Sequence, residues 1–376
     1  MAFSIALLLD SAPRTWTSQE DLHLHLCRAL IERGAHLTLV YATTLKPEIA
    51  NRYIECGAAV EAAPYYKVFD YRRALSEIIR KHSVSLVHVC FFDYFSAVPW
   101  VVRLNGPRNI IFEQLNSGVL RATSWKRKLI QLRGAAATWP AKRVVAISQF
   151  VKDELVKSGV NKNKIIVRRL GVDIERFQPD RNARESLVQK YNIKDNELIL
   201  STVSVLRTFK RPEVIIESCG LLHSRGVPFR LFVGGDGDLL PGLKQLSEKL
   251  GCADRIHWLG YCPDPKPLLQ ASDVFVLASV GEAFGLVLTE AMACGVPVVG
   301  SRSGAIPEIV EDGATGLLAE PMNAASFADA IERLATNRDE LKRMSVNCRS
   351  RVENQFSVDH YVKHTLQIYD ALSESR

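Results

Sequence analysis

A chain of 376 residues exceeds one ordinary domain and predicts two of similar size, with apolar content sufficient for two cores. No stretch approaches the roughly 20 apolar residues of a membrane span, and the apolar start Phe3–Leu9 has no basic flank and ends in Asp10, so it reads as a first strand rather than a signal peptide. Residues 1–175 carry 25 Lys+Arg against 15 Asp+Glu and the remainder 23 against 26, so the net +7 splits into +10 and −3.

The split implies an anionic partner for the first half: a nucleic acid, a phosphorylated acceptor or a membrane surface. Nucleic acid is disfavoured, because no recognised binding motif accompanies the charge and no set of stacking aromatics interleaves it. The eight cysteines, Cys27, Cys56, Cys90, Cys219, Cys252, Cys262, Cys294 and Cys348, form no C-x-x-C pair. They read as free thiols, which places the chain in a reducing cytosol.

In chain order, apolar runs predict strands at Ser4–Leu9, Leu37–Tyr41, Leu86–Phe91, Asn109–Phe112, Arg143–Ile147 and Lys164–Arg168, with helices between most of them. That alternation is a doubly wound α/β domain. Its first helix spans Ser18–Arg33 and stops at Gly34. The segment Trp125–Arg133, WKRKLIQLR, followed by Trp139, predicts an amphipathic helix carrying Lys126, Arg127 and Lys128; it is either a membrane-facing element or an ordinary solvated helix. His23 and His25 are spaced by two, which puts the rings on different faces of a helix and makes a metal site there improbable.

A polar stretch, Gly171–Asp195, reads as a hinge. Beyond it lie the strand Ile199–Val205, a turn holding Arg207 and Lys210, and Pro212 opening a helix. The strand Arg230–Val233 runs into Gly234-Gly235-Asp236-Gly237-Asp238 before the helix Leu240–Leu250. Gly235 and Gly237 let backbone approach a nucleotide, yet the dinucleotide spacing fails at Leu240, which argues against a dehydrogenase. The strand Arg255–Gly260 follows.

Ser279–Gly316 is the most informative stretch. Asp273–Ala278 reads as a buried parallel strand, and the turn Gly281–Gly285 encloses Glu282, Ala283 and Phe284. A helix follows with Val287, Ala291 and Cys294 as its inward stripe; Gly295 and Pro297 end it, and Pro297–Ser301 is the next strand. In open parallel sheets ligands bind outside the carboxyl ends of the strands, where this turn lies. The backbone N–H groups of Gly285, Leu286 and Val287 point outward there and favour an anion such as a phosphate. Glu282 and Glu290 then need another partner, and sugar hydroxyls are the natural one. The competing reading makes Glu282 a decoration of the helix N-terminus and Glu290 a solvated helix residue.

The whole pattern, E-x-F-G, E-A-M-A-C-G-x-P-V-V, G-x-x-P-E-I-V and D-G-x-T-G-x-L, resembles the donor-site signature of retaining glycosyltransferase family 4. The resemblance is weak at the start of the chain and strong from about Val145 onward. It implies two Rossmann-like doubly wound parallel-sheet domains facing across a cleft (GT-B), with an acceptor-binding domain at 1–172, a donor-binding domain at 173–356 and a helix at 357–376 crossing back. Gly171, Val172, Asp173 and Phe177 match the family's link.

By that resemblance Glu290 holds the nucleotide ribose, Glu282 contacts the donor sugar, and Lys210 with Arg207 grips the diphosphate. The commonest family spacing would put the arginine at Val205, and Ala305 stands where a second glycine after Gly304 is usual. On the first half, Thr17 and Ser18 replace two glycines, while Glu20 fits the pattern. His88 matches a strand-end histidine facing the cleft, or is a satisfied core residue. Glu113 and Gln114 stand where many members have a histidine near the reacting centre. Ser148 matches a turn lining the cleft, or caps the helix Gln149–Lys157. The helix Val358–Leu372 resembles the one that crosses back, and His360 and His364 on it read as exposed.

The resulting expectation is a retaining, metal-independent glycosyltransferase that needs no cofactor, takes a nucleotide-sugar donor (UDP-sugar favoured, GDP-sugar possible) and a hydroxyl acceptor, and works in the cytoplasm or on the inner face of the membrane. Asp236 and Asp238 spell a metal-type Asp-x-Asp by letter but lie in the glycine turn. Rival readings are a nucleotide-sugar-binding protein without transferase activity, and a nucleotide-sugar epimerase or phosphorylase.

Overall fold

The computed structural model describes residues 4–10, 12–13, 15–64, 68–90, 96–115 and 124–373; the side chains of residues 68, 69 and 124–127 fall outside that description. The chain forms two compact units, Met1–Leu170 with Val358–Arg376, and Gly171–Ser357.

The first unit is built on seven parallel strands, β1 (Ser4–Leu9), β2 (His36–Tyr41), β3 (Ala59–Ala62), β4 (Leu86–Cys90), β5 (Asn109–Gln114), β6 (Arg143–Ala146) and β7 (Ile165–Val167). Their order across the sheet is β3-β2-β1-β4-β5-β6-β7. Strands β1 and β4 are buried throughout, as mainly apolar strands covered on both faces should be. Two features differ from expectation. β3 is an added edge strand whose sequence, AVEA, is half-exposed and carries no apolar run. β5 runs two residues further than Phe112, because Glu113 and Gln114 pair with Val145 and Ala146 of β6.

The second unit holds six parallel strands, β8 (Leu198–Val203), β9 (Phe229–Gly234), β10 (Ile256–Gly260), β11 (Val274–Leu277), β12 (Val298–Ser301) and β13 (Gly316–Ala319), in the order β10-β9-β8-β11-β12-β13. Leu200, Leu231, Val274 and Val276 pack with Ile215, Phe327 and Ile331 into its main core. In both sheets the order reverses beside the first strand, and that switch point is where open α/β sheets place ligands.

The hinge expected at Gly171–Asp195 is corrected. Residues Arg181–Tyr191 form a helix of this unit: Arg184 bonds both carboxylate oxygens of Asp273, at 2.7 and 3.2 Å. Tyr191 packs on Phe232 and His257, and Ile193 joins the cluster of Ile199, Phe232 and Leu268. The stripe expected on the next site helix is also corrected. Leu286–Ala293 is buried nearly all round, with Leu288, Ala291 and Met292 fully enclosed and Val287 half-exposed.

The final helix, Val358–Ser373, belongs to the first unit and buries Tyr361, Thr365, Leu366, Tyr369 and Leu372 against it. Arg33 of the helix Ser18–Glu32 meets Asp370 at 3.1 Å. Among the described residues no helix is long and apolar enough to cross a membrane.

Candidate functional site

In the second unit three loops converge beyond the carboxyl ends of β8, β9 and β11. Val280 N–H donates to the Phe209 carbonyl at 3.1 Å, and Leu206 N–H to that of Asp236 at 2.9 Å, so the loops after these strands are bonded to one another. At the junction Lys210 Nζ donates to Glu282 Oε2 at 2.7 Å, with the two side chains 16 % and 13 % exposed. Lys210 ends a short 3-10 turn, Thr208–Lys210, which Pro212 follows into its helix. Arg207 is exposed at the start of that turn.

Two glycines set the geometry. A Cβ on Gly304 would lie 2.4 Å from the amide nitrogen and 2.5 Å from the carbonyl oxygen of Glu282, and φ there is +61°. A Cβ on Gly235 would come within 1.9 Å of the Ser204 carbonyl oxygen. Only glycine fits either place. Ala305 is different: its φ of −86° suits any residue, and its N–H donates to the Glu282 carbonyl at 2.8 Å. The departure from the family pattern therefore leaves the backbone around Glu282 intact. Gly281 N–H donates to Ser303 Oγ at 3.1 Å, a contact that the sequence did not signal.

The helix Leu286–Ala293 starts at Gly285, which has positive φ and no side-chain cap. Leu288 N–H turns back to the Gly285 carbonyl at 2.9 Å, while the N–H groups of Leu286 and Val287 have no backbone partner among the described residues, and the partial positive charge of the helix end adds to Lys210. Glu290 is buried, close enough to Cys262 and Cys294 for its charge to push both thiols up, after the larger effect of burial. At the ends of β11 and β12 the buried hydroxyls of Ser279 and Ser301 have no hydrogen-bond partner among the described residues. Sequence reading did not single them out, since a serine after a strand is too common to be a signal. Asp236 and Asp238 are exposed, and Asp236 Oδ1 accepts from Gly237 N–H at 2.8 Å, holding the glycine turn.

In the first unit the candidates have structural partners. Thr17 caps the helix Ser18–Glu32 in a capping box with Glu20, and Ser18 is buried behind it. Ser148 is buried and caps the helix Gln149–Lys157, accepting from Val151 N–H at 3.1 Å. The strand register sets Cys90 beside Glu113. His88, 2 % exposed, contacts Tyr369 Oη through Nδ1 at 2.7 Å and Glu113 Oε2 through Nε2 at 3.0 Å. Arg168 pairs with Glu113 Oε1, donates to Thr365 Oγ1 at 3.1 Å and lies 4.2 Å over the Tyr361 ring.

Burial pushes the Glu113 carboxyl up, but Arg168 foremost and then His88 hold it down to about 2. Burial lowers His23 to about 4, against the opposing pull of Glu113. Glu113 is thus engaged in a sealed ion pair instead of standing open beyond a strand end, and Gln114 is buried next to it. His88, Cys90 and Glu113 bring three ligand atoms within 4.8 Å of one another, but the guanidinium already neutralises that carboxylate.

Comparison with known proteins agrees with both units. The profile "Glycosyltransferase Family 4" matches residues 21–176, and "Glycosyl transferases group 1" matches 183–351. The N-acetyl-alpha-D-glucosaminyl L-malate synthase of Bacillus anthracis is 35% identical over 191 residues, 50% of each chain. The D-inositol 3-phosphate glycosyltransferase of Nocardia farcinica is 32% identical over 243 residues, 61% of this chain and 53% of that one. The chain thus spans about half the length of the curated relatives it matches. Among solved structures, a glycosyltransferase from Rickettsia africae superposes with a TM-score of 0.83 at 21% identity, covering 100% of both chains. Anabaena HepE in complex with UDP and glucose gives 0.80 at 19% identity, covering 98% and 99%. The glycine-bounded loop that carries Glu282, its pairing with Lys210, the two Rossmann-like parallel sheets of the GT-B fold and the two adjoining profiles have one explanation: the chain belongs to glycosyltransferase family 4.

Proposed function

We propose that the protein is a retaining glycosyltransferase that moves a sugar from a nucleotide sugar, a UDP-sugar by preference, to a hydroxyl acceptor without a metal ion. The observation that carries the reading is the Lys210–Glu282 pair at 2.7 Å beside the uncapped start of the helix at Gly285. A diphosphate placed there meets one ammonium and a set of backbone N–H donors, fixed before the reaction and able to carry the charge that develops on the leaving group. Arg207 adds a second cation from the same turn. Glu282 accepts hydrogen bonds from the sugar and orients it, and buried Glu290 takes the ribose diol. With the leaving phosphate on the face that the acceptor approaches, a phosphate oxygen takes the acceptor's proton. HepE, whose structures hold UDP and UDP-glucose, supports the choice of a uridine nucleotide.

The test is transfer from a panel of UDP- and GDP-sugars, with the anomeric configuration of the product read by NMR and the assay repeated in EDTA. Retention and full activity in chelator are expected. Inversion, or activity lost in EDTA and restored by Mn²⁺, would overturn the reading, including that of Asp236 and Asp238.

A second observation bears on the acceptor. Trp100 and Trp139 stack at 5.3 Å with rings 10° apart, yet are 38 % and 64 % exposed. Leu104, Leu129 and Leu132, on the helices Val98–Leu104 and Ser124–Thr138, are exposed too, as are Lys128 and Arg133. The side chains of Trp125, Lys126 and Arg127 lie outside the described residues. We propose that this face rests on an anionic membrane surface presenting a lipid-linked acceptor: tryptophans favour the headgroup level, and each basic residue adds about 1 kcal/mol there. Co-sedimentation with vesicles of graded anionic lipid content should fall steeply with salt and with Trp139→Ser. Equal binding to neutral and anionic vesicles would leave a soluble acceptor.

A further inference from the structure

Two cysteines of the first unit meet outside everything described so far. Cys27 lies in the helix Ser18–Glu32 and is fully buried; Cys56 ends the helix Pro47–Glu55 and is partly exposed. The two helices pack closely, since a Cβ on Gly57 would touch Ile31 at 3.4 Å. Leu24, Arg28 and Ile31 line the same space as Cys56, and buried Cys27 lies between them on the helix Ser18–Glu32; Cys56 Sγ lies 3.0 Å from the Tyr53 carbonyl oxygen. In front of them opens a cavity of about 520 Å³, lined by Leu24, Arg28, Ile31, Glu32, Arg52, Glu55 and Cys56. A small reagent can therefore reach the Cys56 sulfur from solvent, with Cys27 directly behind it.

The electrostatics fit a reactive group. The Cys27 side chain lowers Cys56 to about 6, outweighing partial burial, with further help from the Ala58 N–H and the Arg28 guanidinium. Cys27 itself is pushed far up by burial and stays a thiol. The thiolate is the attacking species in sulfur chemistry, and a resolving thiol must sit within bonding reach of it. Cys262, the other partly exposed cysteine, is pushed up by burial and has no such neighbour among the described residues.

We infer that Cys56 and Cys27 form a reversible redox pair, Cys56 reacting with a peroxide that enters the cavity and Cys27 resolving the product to a disulfide. The Cys56 thiolate attacks one oxygen of hydrogen peroxide; an S–O bond forms, the O–O bond breaks and hydroxide leaves. The Cys27 sulfur then attacks the Cys56 sulfur; the S–S bond forms, the S–O bond breaks, and the departing hydroxide takes the Cys27 proton as water. Two electrons pass from the sulfurs to the peroxide, and an external dithiol returns them. The bond ties the helix that begins at Thr17, Ser18 and Glu20 to its neighbour.

The test treats the full chain with one equivalent of hydrogen peroxide and maps the peptides by mass spectrometry. A Cys27–Cys56 crosslink, two hydrogens lighter and reversed by dithiothreitol, is expected. In Cys27→Ala the oxidised Cys56 should persist and be trapped by a 1,3-dione. Should that variant fail to fold, the parent alone decides through the pH profile of alkylation by iodoacetamide. Labelling of Cys56 should reach half its plateau near pH 6, while that of Cys262 still climbs at pH 9. Thiolate fraction outweighs the lower nucleophilicity of the more acidic thiol, leaving Cys56 roughly tenfold faster at pH 7. The absence of the crosslink, or one shared pH profile for both cysteines, overturns the proposal.

Discussion

Each unit holds a cation against a glutamate, and the two pairs are built to opposite ends. Arg168 and Glu113 are 1 % and 4 % exposed, and their remaining contacts go to Thr365, Tyr361 and His88. Lys210 and Glu282 are several times more exposed and lie beside an uncapped helix start. A pair enclosed by protein groups holds a fold together, because removing one member strands a charge away from water. A pair with room for a third partner can change partner when a ligand arrives. The type of pair alone does not separate them; the neighbours do.

The sharpest way to break this contrast is to delete one member of each. Glu113→Ala should lose about 3–5 kcal/mol of stability in a urea melt, since Arg168 is left buried and unpaired. Lys210→Ala should cost less stability, at most about 1.5–3 kcal/mol. Its transfer rate should nevertheless drop by about 10²–10³, the usual loss for one preorganised charge contact. If Glu113→Ala melts like the parent and Lys210→Ala turns over normally, the assignment of roles is reversed.

Acid provides a second separation. His23 is held down to about 4 in the folded state, so between its ordinary value near 6.5 and 4 the unfolded chain binds the extra proton and stability falls as pH drops. Glu113, held at about 2, contributes stability that is complete above the ordinary carboxylate range and is lost as pH falls from about 4.5 toward 2. Both effects have the same sign and act on the first unit. The His23 step, on the order of 3 kcal/mol, should vanish from urea melts of His23→Phe between pH 6.5 and 4. An unchanged slope in that window would mean that the ring is not kept neutral.

Smaller effects should distinguish Gly304 from its neighbour Ala305. Gly304→Ala places a Cβ on the Glu282 backbone at positive φ and should cost about 1–3 kcal/mol and weaken nucleotide-sugar binding. Ala305→Gly, at ordinary φ, should change stability by less than about 1 kcal/mol. Calorimetric melts of the two variants check both.

How much of this was legible in the sequence follows from how local each feature is. β1, β4 and β8 are dominated by buried apolar residues and were readable; β3, half-exposed at a sheet edge, carries no such run. The loop around Glu282 was readable because Glu282, Gly285, Glu290 and Gly304 fall within one short stretch. The helix Arg181–Tyr191 buries none of its own residues fully, so its polarity resembled a linker, although Arg184 and Tyr191 anchor it. The ion pair of Glu113 was hidden for a related reason. Its partner Arg168 is 55 residues away, and Tyr369, which fixes His88, lies 281 residues from that histidine; no local pattern announces either.

The central claim, that Glu290 holds the nucleotide and Glu282 the sugar, is tested most directly by isothermal titration of UDP and of a UDP-sugar into the parent, Glu290→Ala and Glu282→Ala. The account predicts that Glu290→Ala weakens both ligands by about tenfold or more, the loss of a charged hydrogen bond. Glu282→Ala should bind UDP like the parent while losing affinity for the UDP-sugar and nearly all transfer. Parent-like UDP binding by Glu290→Ala, or equal loss of both ligands in Glu282→Ala, would contradict it.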